Sequence, residues 1–329
     1  MKISFPRSMA RLLIPLLLAA GLVGPAHAQA PAFPNKPVKL IVPFLAGGAP
    51  DMLARMVGER LSARWGQPVV IDNKPGASGA LGAQALKASP ADGYSFLMAV
   101  SSLVQLPHLI PNIPYDVKKD FAAVSHLGGT HLALLVNSNL PVNTLQEFIA
   151  YTKARPGKLN YASFGAGSLS HIFGEVFNDA AGVQLQHVAY KGDSPALVDL
   201  MEGRVESAFL SVFLVRQHLA SGKLKMLAVT GPTRSPLAPT VPTMDEQGIR
   251  GLGLQGWFGL FAPAGTPVTI QEKVAVDLRD ILTLPEIKAK LLESGIVAGG
   301  GTAAAFAHTV STDYDMYGEI IRKYRISLN

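Results

Sequence analysis

The chain has no cysteine, only two tryptophans, and a charged fraction of just 16% across 329 residues. Without cysteine there can be no disulfide framework, no thiolate metal site and no lipidated cysteine at a leader cleavage site. Low charge with 48% hydrophobic residues excludes a disordered chain. Lys and Arg exceed Asp and Glu by six, but they are scattered and do not alternate with aromatics, so no nucleic-acid partner is expected. The eight histidines show no metal-ligand spacing, and no cofactor motif stands in a suitable context. One long apolar run exists, from Leu12 to Val23, and Pro15 and Gly21 break it before it could span a bilayer. It is preceded by Lys2, Arg7 and Arg11 and followed by Ala26-His27-Ala28, which predicts a secretory signal peptide cleaved after Ala28 and an exported, unanchored product. Cleavage would leave 301 residues with 26 basic and 23 acidic side chains, a net +3, and enough chain for two domains.

What is present is an alternation of strand-length apolar runs with stretches of helical period, the signature of an α/β fold. Strands are expected near residues 37–44, 68–71, 94–100, 131–136, 160–163, 205–210, 225–230 and 256–261, and residues 101–119, with Pro107, Pro111 and Pro114, read as irregular. Three strand-to-helix loops share one chemistry. The first is Phe44-Leu45-Ala46-Gly47-Gly48-Ala49-Pro50-Asp51, the second Phe164-Gly165-Ala166-Gly167-Ser168, and the third Tyr190-Lys191-Gly192-Asp193-Ser194-Pro195. Glycine lets backbone amides approach a ligand, and a helix start favours an anion without any basic side chain. Asp51 suits both a helix cap and a ligand contact. Asp193 suits a ligand ammonium or no role at all, and His171 suits either a hydrogen-bonded core imidazole or a ligand contact.

Taken together, Val42-Pro43-Phe44, Ala46-Gly47-Gly48, Asp51, Asn73-Lys74-Pro75-Gly76-Ala77, Tyr190-Lys191-Gly192, Pro195-Ala196-Leu197, Pro242-Thr243 and the run from Gly259 to Pro267 resemble the Bug-type receptors, the periplasmic substrate-binding proteins of tripartite tricarboxylate transporters. The resemblance implies a two-lobed, type II periplasmic binding protein in which each lobe is a mixed, mostly parallel sheet flanked by helices. It places one lobe at residues 33–130 plus 255–329 and the other at 131–254, hinged at strands 131–136 and 256–261. It also implies a periplasmic, monomeric receptor that closes on a small carboxylated solute and passes it to integral membrane transporter subunits, without catalysis, cofactor or metal. Carried onto this chain, the ligand contacts are Phe44, Ala46, Gly47, Gly48 and Asp51 on one side and Ser163, Gly165, Gly167, Ser168 and His171 on the other, with Ser78, Gly79, Ser101, Tyr190 and Asp193 as neighbours. The chain departs from the family pattern at Phe164 and Ser168, where proline and threonine are usual.

Two other classes compete: a secreted α/β hydrolase or lyase, and a ligand sensor that signals to a membrane partner. No Gly-x-Ser-x-Gly elbow is present, and Gly251-Leu252-Gly253-Leu254-Gln255-Gly256 leads into a strand where a dinucleotide site would need a helix.

Overall fold

The computed structural model describes Met1 and residues 33–328, so the signal-peptide expectation lies outside the described residues. The chain divides into units Met1–Asn35 and Lys36–Asn329, and the second holds two sheets. Its first stretch runs β1 (Val38–Val42), α1 (Ala49–Trp65), β2 (Val69–Asn73), α2 (Ala80–Lys87), β3 (Ser95–Val100), α3 (Ser102–Leu109), α4 (Val117–Asp120) and β4 (Phe121–Thr130). The middle runs β5 (Leu132–Asn137), α5 (Leu145–Lys153), β6 (Asn160–Ser163), α6 (Leu169–Ala181), β7 (Gln186–Ala189), α7 (Asp193–Met201), β8 (Ser207–Ser211), α8 (Val212–Val215) and β9 (Leu224–Val229). The last stretch is β10 (Gly256–Pro263), α9 (Val268–Thr283), α10 (Pro285–Glu293), β11 (Val297–Ala298) and α11 (Ala303–Lys323).

The six-stranded sheet has the order β11-β4-β10-β3-β1-β2 and the five-stranded sheet β7-β6-β8-β5-β9. Both are mixed. β1 pairs in parallel with β2 and β3, and β6 with β7 and β8, as βαβ units require. The antiparallel pairings involve the strands at the chain crossings: β10 beside β3 and β4, and β5 beside β8 and β9. Parallel pairing is therefore a smaller share than the βαβ pattern alone suggests. Every residue of β5 and β10 is buried, because helices cover both faces, and each reads as an unbroken apolar run rather than an alternation.

The chain passes between the sheets at His131, where β4 leads directly into β5, and at Gln255, which precedes β10. The passage is tightly tied. Thr230 N–H donates to Leu132 O at 2.8 Å, Leu132 N–H to Thr230 Oγ1 at 3.1 Å, and Val212 N–H to His131 O at 3.1 Å.

Two expectations fail here for physical reasons. The ten-residue β4 gave no strand signal because its Ala122, Ala123, Gly128 and Gly129 are small and two of them are glycine. The smallness is packing: a Cβ at Gly128 would lie 2.5 Å from Ile296 Cγ2, and one at Gly129 2.3 Å from Gln255 Nε2. Residues 101–119 are also largely helical. α3 carries Pro107 inside it, and the Leu103 carbonyl left without that residue's N–H accepts instead from the Tyr115 hydroxyl at 3.1 Å. By contrast α6 forms as its pattern predicts, capped by Ser168 and burying Ile172, Phe173, Val176 and Phe177 against Tyr161 and Phe209.

Candidate functional site

The parallel strands end on loops that surround one cavity of about 540 Å³ between the two sheets. Its walls come from Phe44 and Ser78 after β1 and β2, Ser101 and Ser102 at the start of α3 and Leu109 at its end, and residues 164–169 after β6. Asp193 begins α7, Ser211 ends β8, Gly256 and Trp257 open β10 and form the floor, and Leu328 closes the rim. Among the described residues no Lys or Arg lines it, and Asp193 is the one ionisable side chain that does.

The first loop is built around Asp51. This side chain is buried, and its Oδ2 accepts from Gly47 N–H and Arg55 Nε, each at 2.9 Å, while its Oδ1 accepts from Asn73 Nδ2 at 2.9 Å. Asn73 Nδ2 also donates to Phe44 O at 3.1 Å, so one amide steadies both ends of the loop. The Arg55 guanidinium draws the Asp51 carboxyl down to about 2. Gly48, not Asp51, holds the N-cap position of α1, and Asp51 reaches back from the first turn. Gly47 has φ 89°, which a Cβ would strain, and its N–H is spent on Asp51.

The second loop is likewise satisfied from within. Gly165 N–H donates to Ser163 Oγ at 3.2 Å, Ser168 Oγ to Gly165 O at 2.6 Å, and Gly167 N–H to His171 Nδ1 at 3.0 Å. That last bond puts the imidazole proton of His171 on Nε2, 4.0 Å from Glu175 Oε1. The His171 ring stacks on His187 with centroids 3.7 Å apart and planes 9° from parallel. Burial pushes His171 down to about 4. Burial first and the His171 ring second push His187 down to about 4, so both are neutral at pH 7. Ser163 Oγ lies 2.7 Å from His187 Nε2, the separation of a nucleophile and base, but Ser163 is fully buried and away from the cavity wall.

The structure thus brings Phe44, Ser78, Ser101, Gly165, Gly167, Ser168 and Asp193 to the cavity. The other candidates sit behind it. Asp51, Ser163 and His171 fix the two loops. Gly79 backs Phe44, and a Cβ on it would lie 3.7 Å from Phe44 Cζ. Tyr190 donates its hydroxyl to Asp199 at 2.7 Å, while Ala46, Gly47 and Gly48 lie outside the lining. Asp193 stands inside α7 as its first residue, with Gly192 at the N-cap. Burial lifts its carboxyl to about 6, against a hydrogen bond from Ser211 N–H, and its Oδ1 has no partner among the described residues.

Several lining residues had no sequence signal. Ser102, Gln105, Leu106 and Leu109 lie on the helix misread as irregular, and Thr130 ends the strand that was missed. Gly256 was read as the start of a strand, but its position on the floor depends on the crossing: a Cβ there would lie 2.8 Å from Thr130 Oγ1 and 3.2 Å from Leu169 Cδ2.

Known proteins place this geometry. Residues 53–326 match the model of the tripartite tricarboxylate transporter family receptor. The chain is 38% identical to protein BugT of Bordetella pertussis over 252 residues, 76% of this chain and 77% of BugT. Among solved structures, a solute-binding protein from Polaromonas superposes with a TM-score of 0.81 at 28% identity, covering 88% of this chain and 99% of that one. An R. palustris protein solved with adipate superposes with a TM-score of 0.73 at 34% identity, covering 90% and 100%. The chain belongs to the receptor family of the tripartite tricarboxylate transporters.

Proposed function

We propose that this protein is a periplasmic receptor that binds a small carboxylated solute between two lobes, residues 33–130 plus 255–329 and residues 131–254, and delivers it to integral membrane subunits of a tripartite transporter. It acts as a monomer and carries out no reaction on the solute. The observation that carries this reading is the cavity wall, where five serines and Thr130 face a space with no cationic side chain. Hydroxyl donors can hold a carboxylate, and each hydrogen bond to a charged group contributes about 1.5 to 3 kcal/mol. Micromolar affinity requires about 8 kcal/mol, so three or four such bonds suffice together with apolar contact. The N–H groups of Gly47, Gly165 and Gly167 and the Ser168 hydroxyl are bonded within the protein, which shifts the weight to the other hydroxyls of the wall, among them those of Ser78, Ser101 and Ser211. The adipate-bound relative supports the solute class. Closure follows because a solute touching both lobes favours the state in which both reach it.

The mature protein incubated with a library of carboxylates, amines and sugars should gain thermal stability with a carboxylate, become more compact by X-ray scattering, and yield no product. Product accumulation, or stabilisation confined to uncharged compounds, would overturn the receptor reading.

A further inference from the structure

Resting on that reading, we propose that the solute carries a protonated amine as well as its carboxylate, and that Asp193 receives the amine. Among the described residues Asp193 is the one ionisable side chain on the cavity wall, and its Oδ1 is buried without a hydrogen-bond partner. A carboxylate in that position is expensive to keep desolvated unless a cation or several donors reach it. The protein supplies a single named donor, the Ser211 amide, and no Lys or Arg among the lining residues. An ammonium group offers three donors and the opposite charge. A second carboxylate on the solute would instead face Asp193 with like charge. The carboxyl, held by burial at about 6, is already mostly ionised at pH 7.5, and its place in the first turn of α7 favours that form. Beside its hydroxyls the wall carries Phe44, Phe164, Trp257, Phe258, Leu109 and Leu328, which suit a hydrocarbon body between the two charged ends.

Two matched sets of probes separate the possibilities: phenylalanine, 3-phenylpropanoate and benzylmalonate, and 6-aminohexanoate, hexanoate and adipate. Calorimetry at pH 7.5 should show the amine-bearing member of at least one set binding about tenfold or more tighter than both of its partners. Asp193→Asn should abolish that preference, by weakening the amine-bearing member and by strengthening the monocarboxylate and dicarboxylate once the negative charge is gone, and Asp193→Glu should retain part of it. Melting temperatures at or above wild type for Asp193→Asn would establish that the variant folds. If the dicarboxylates or monocarboxylates bind as tightly as the amines in both sets, or if Asp193→Asn keeps the preference, the amine proposal is wrong and the receptor reading stands. If no member of either set binds, the receptor reading loses its solute class and the proposal falls with it.

Discussion

Acid should weaken this protein through one pair of rings. His171 and His187 stack at 3.7 Å, and each is held neutral in the folded state, with its proton affinity lowered from 6.5 to about 4 mainly by burial. Because the folded-state values lie below the unfolded value, the neutral rings contribute stability that is complete above pH 6.5 and is lost as pH falls toward 4. The full difference is about 3 kcal/mol per ring, and retained solvent contact reduces it to roughly 2 kcal/mol per ring at pH 4.5. Asp193 and Asp313 act in the opposite direction, since burial raises both to about 6 and their strain is relieved by acid. The test is therefore a difference between proteins. His171→Asn keeps an acceptor where Nδ1 meets Gly167 N–H, His187→Gln keeps a polar group beside Ser163, and neither titrates. Between pH 7.5 and 4.5 the wild type should lose about 4 kcal/mol more than the double variant, a gap of about 6 °C in melting temperature for a chain of this size. Parallel melting curves across that range would refute the assignment of acid sensitivity to the stack.

The first loop and the floor give two further expectations. Asp51→Ala removes the acceptor shared by Gly47 N–H, Arg55 and Asn73, and should cost about 2 to 4 kcal/mol in urea unfolding and weaken solute binding as the loop loosens. An unchanged urea midpoint would show the network to be ornamental. Gly256→Val places branched carbon where even a Cβ would lie 2.8 Å from Thr130 Oγ1, and should reduce solute affinity more than tenfold while the second sheet stays folded, as hydrogen exchange of β5 and β8 would report.

Fold class was legible because fully buried strands such as β5 and β10 read as largely apolar runs, and because helices such as α6 carry their own caps. β4 was not, since the selection acting on Gly128 and Gly129 comes from Ile296 and Gln255, far away in sequence. The same limit applied to the site. The glycine loops were visible, but which of their groups face inward depends on partners such as Asn73, His187 and Ser211 that only folding brings near. Asp51 illustrates this well: its type and position announced importance, and in the fold its carboxylate accepts from Gly47 N–H, Arg55 and Asn73. Leu328 could not have been found at all, because nothing local marks a residue that reaches the cavity rim beside Gly167.

The internal bonding of the two loops has a kinetic side. Gly47, Gly165 and Gly167 each have an acceptor within the protein, so the loops keep their shape in the empty receptor and a solute need not order them on arrival. Capture should then proceed at the rate of encounter with an open cleft, and residence time should be set by how often the lobes part. Such a frame also separates two kinds of evolutionary change. Wall residues such as Phe164 or Asp193 can be exchanged to admit a new solute while the bonds that hold the loops remain as they are, which allows one scaffold to serve many nutrients.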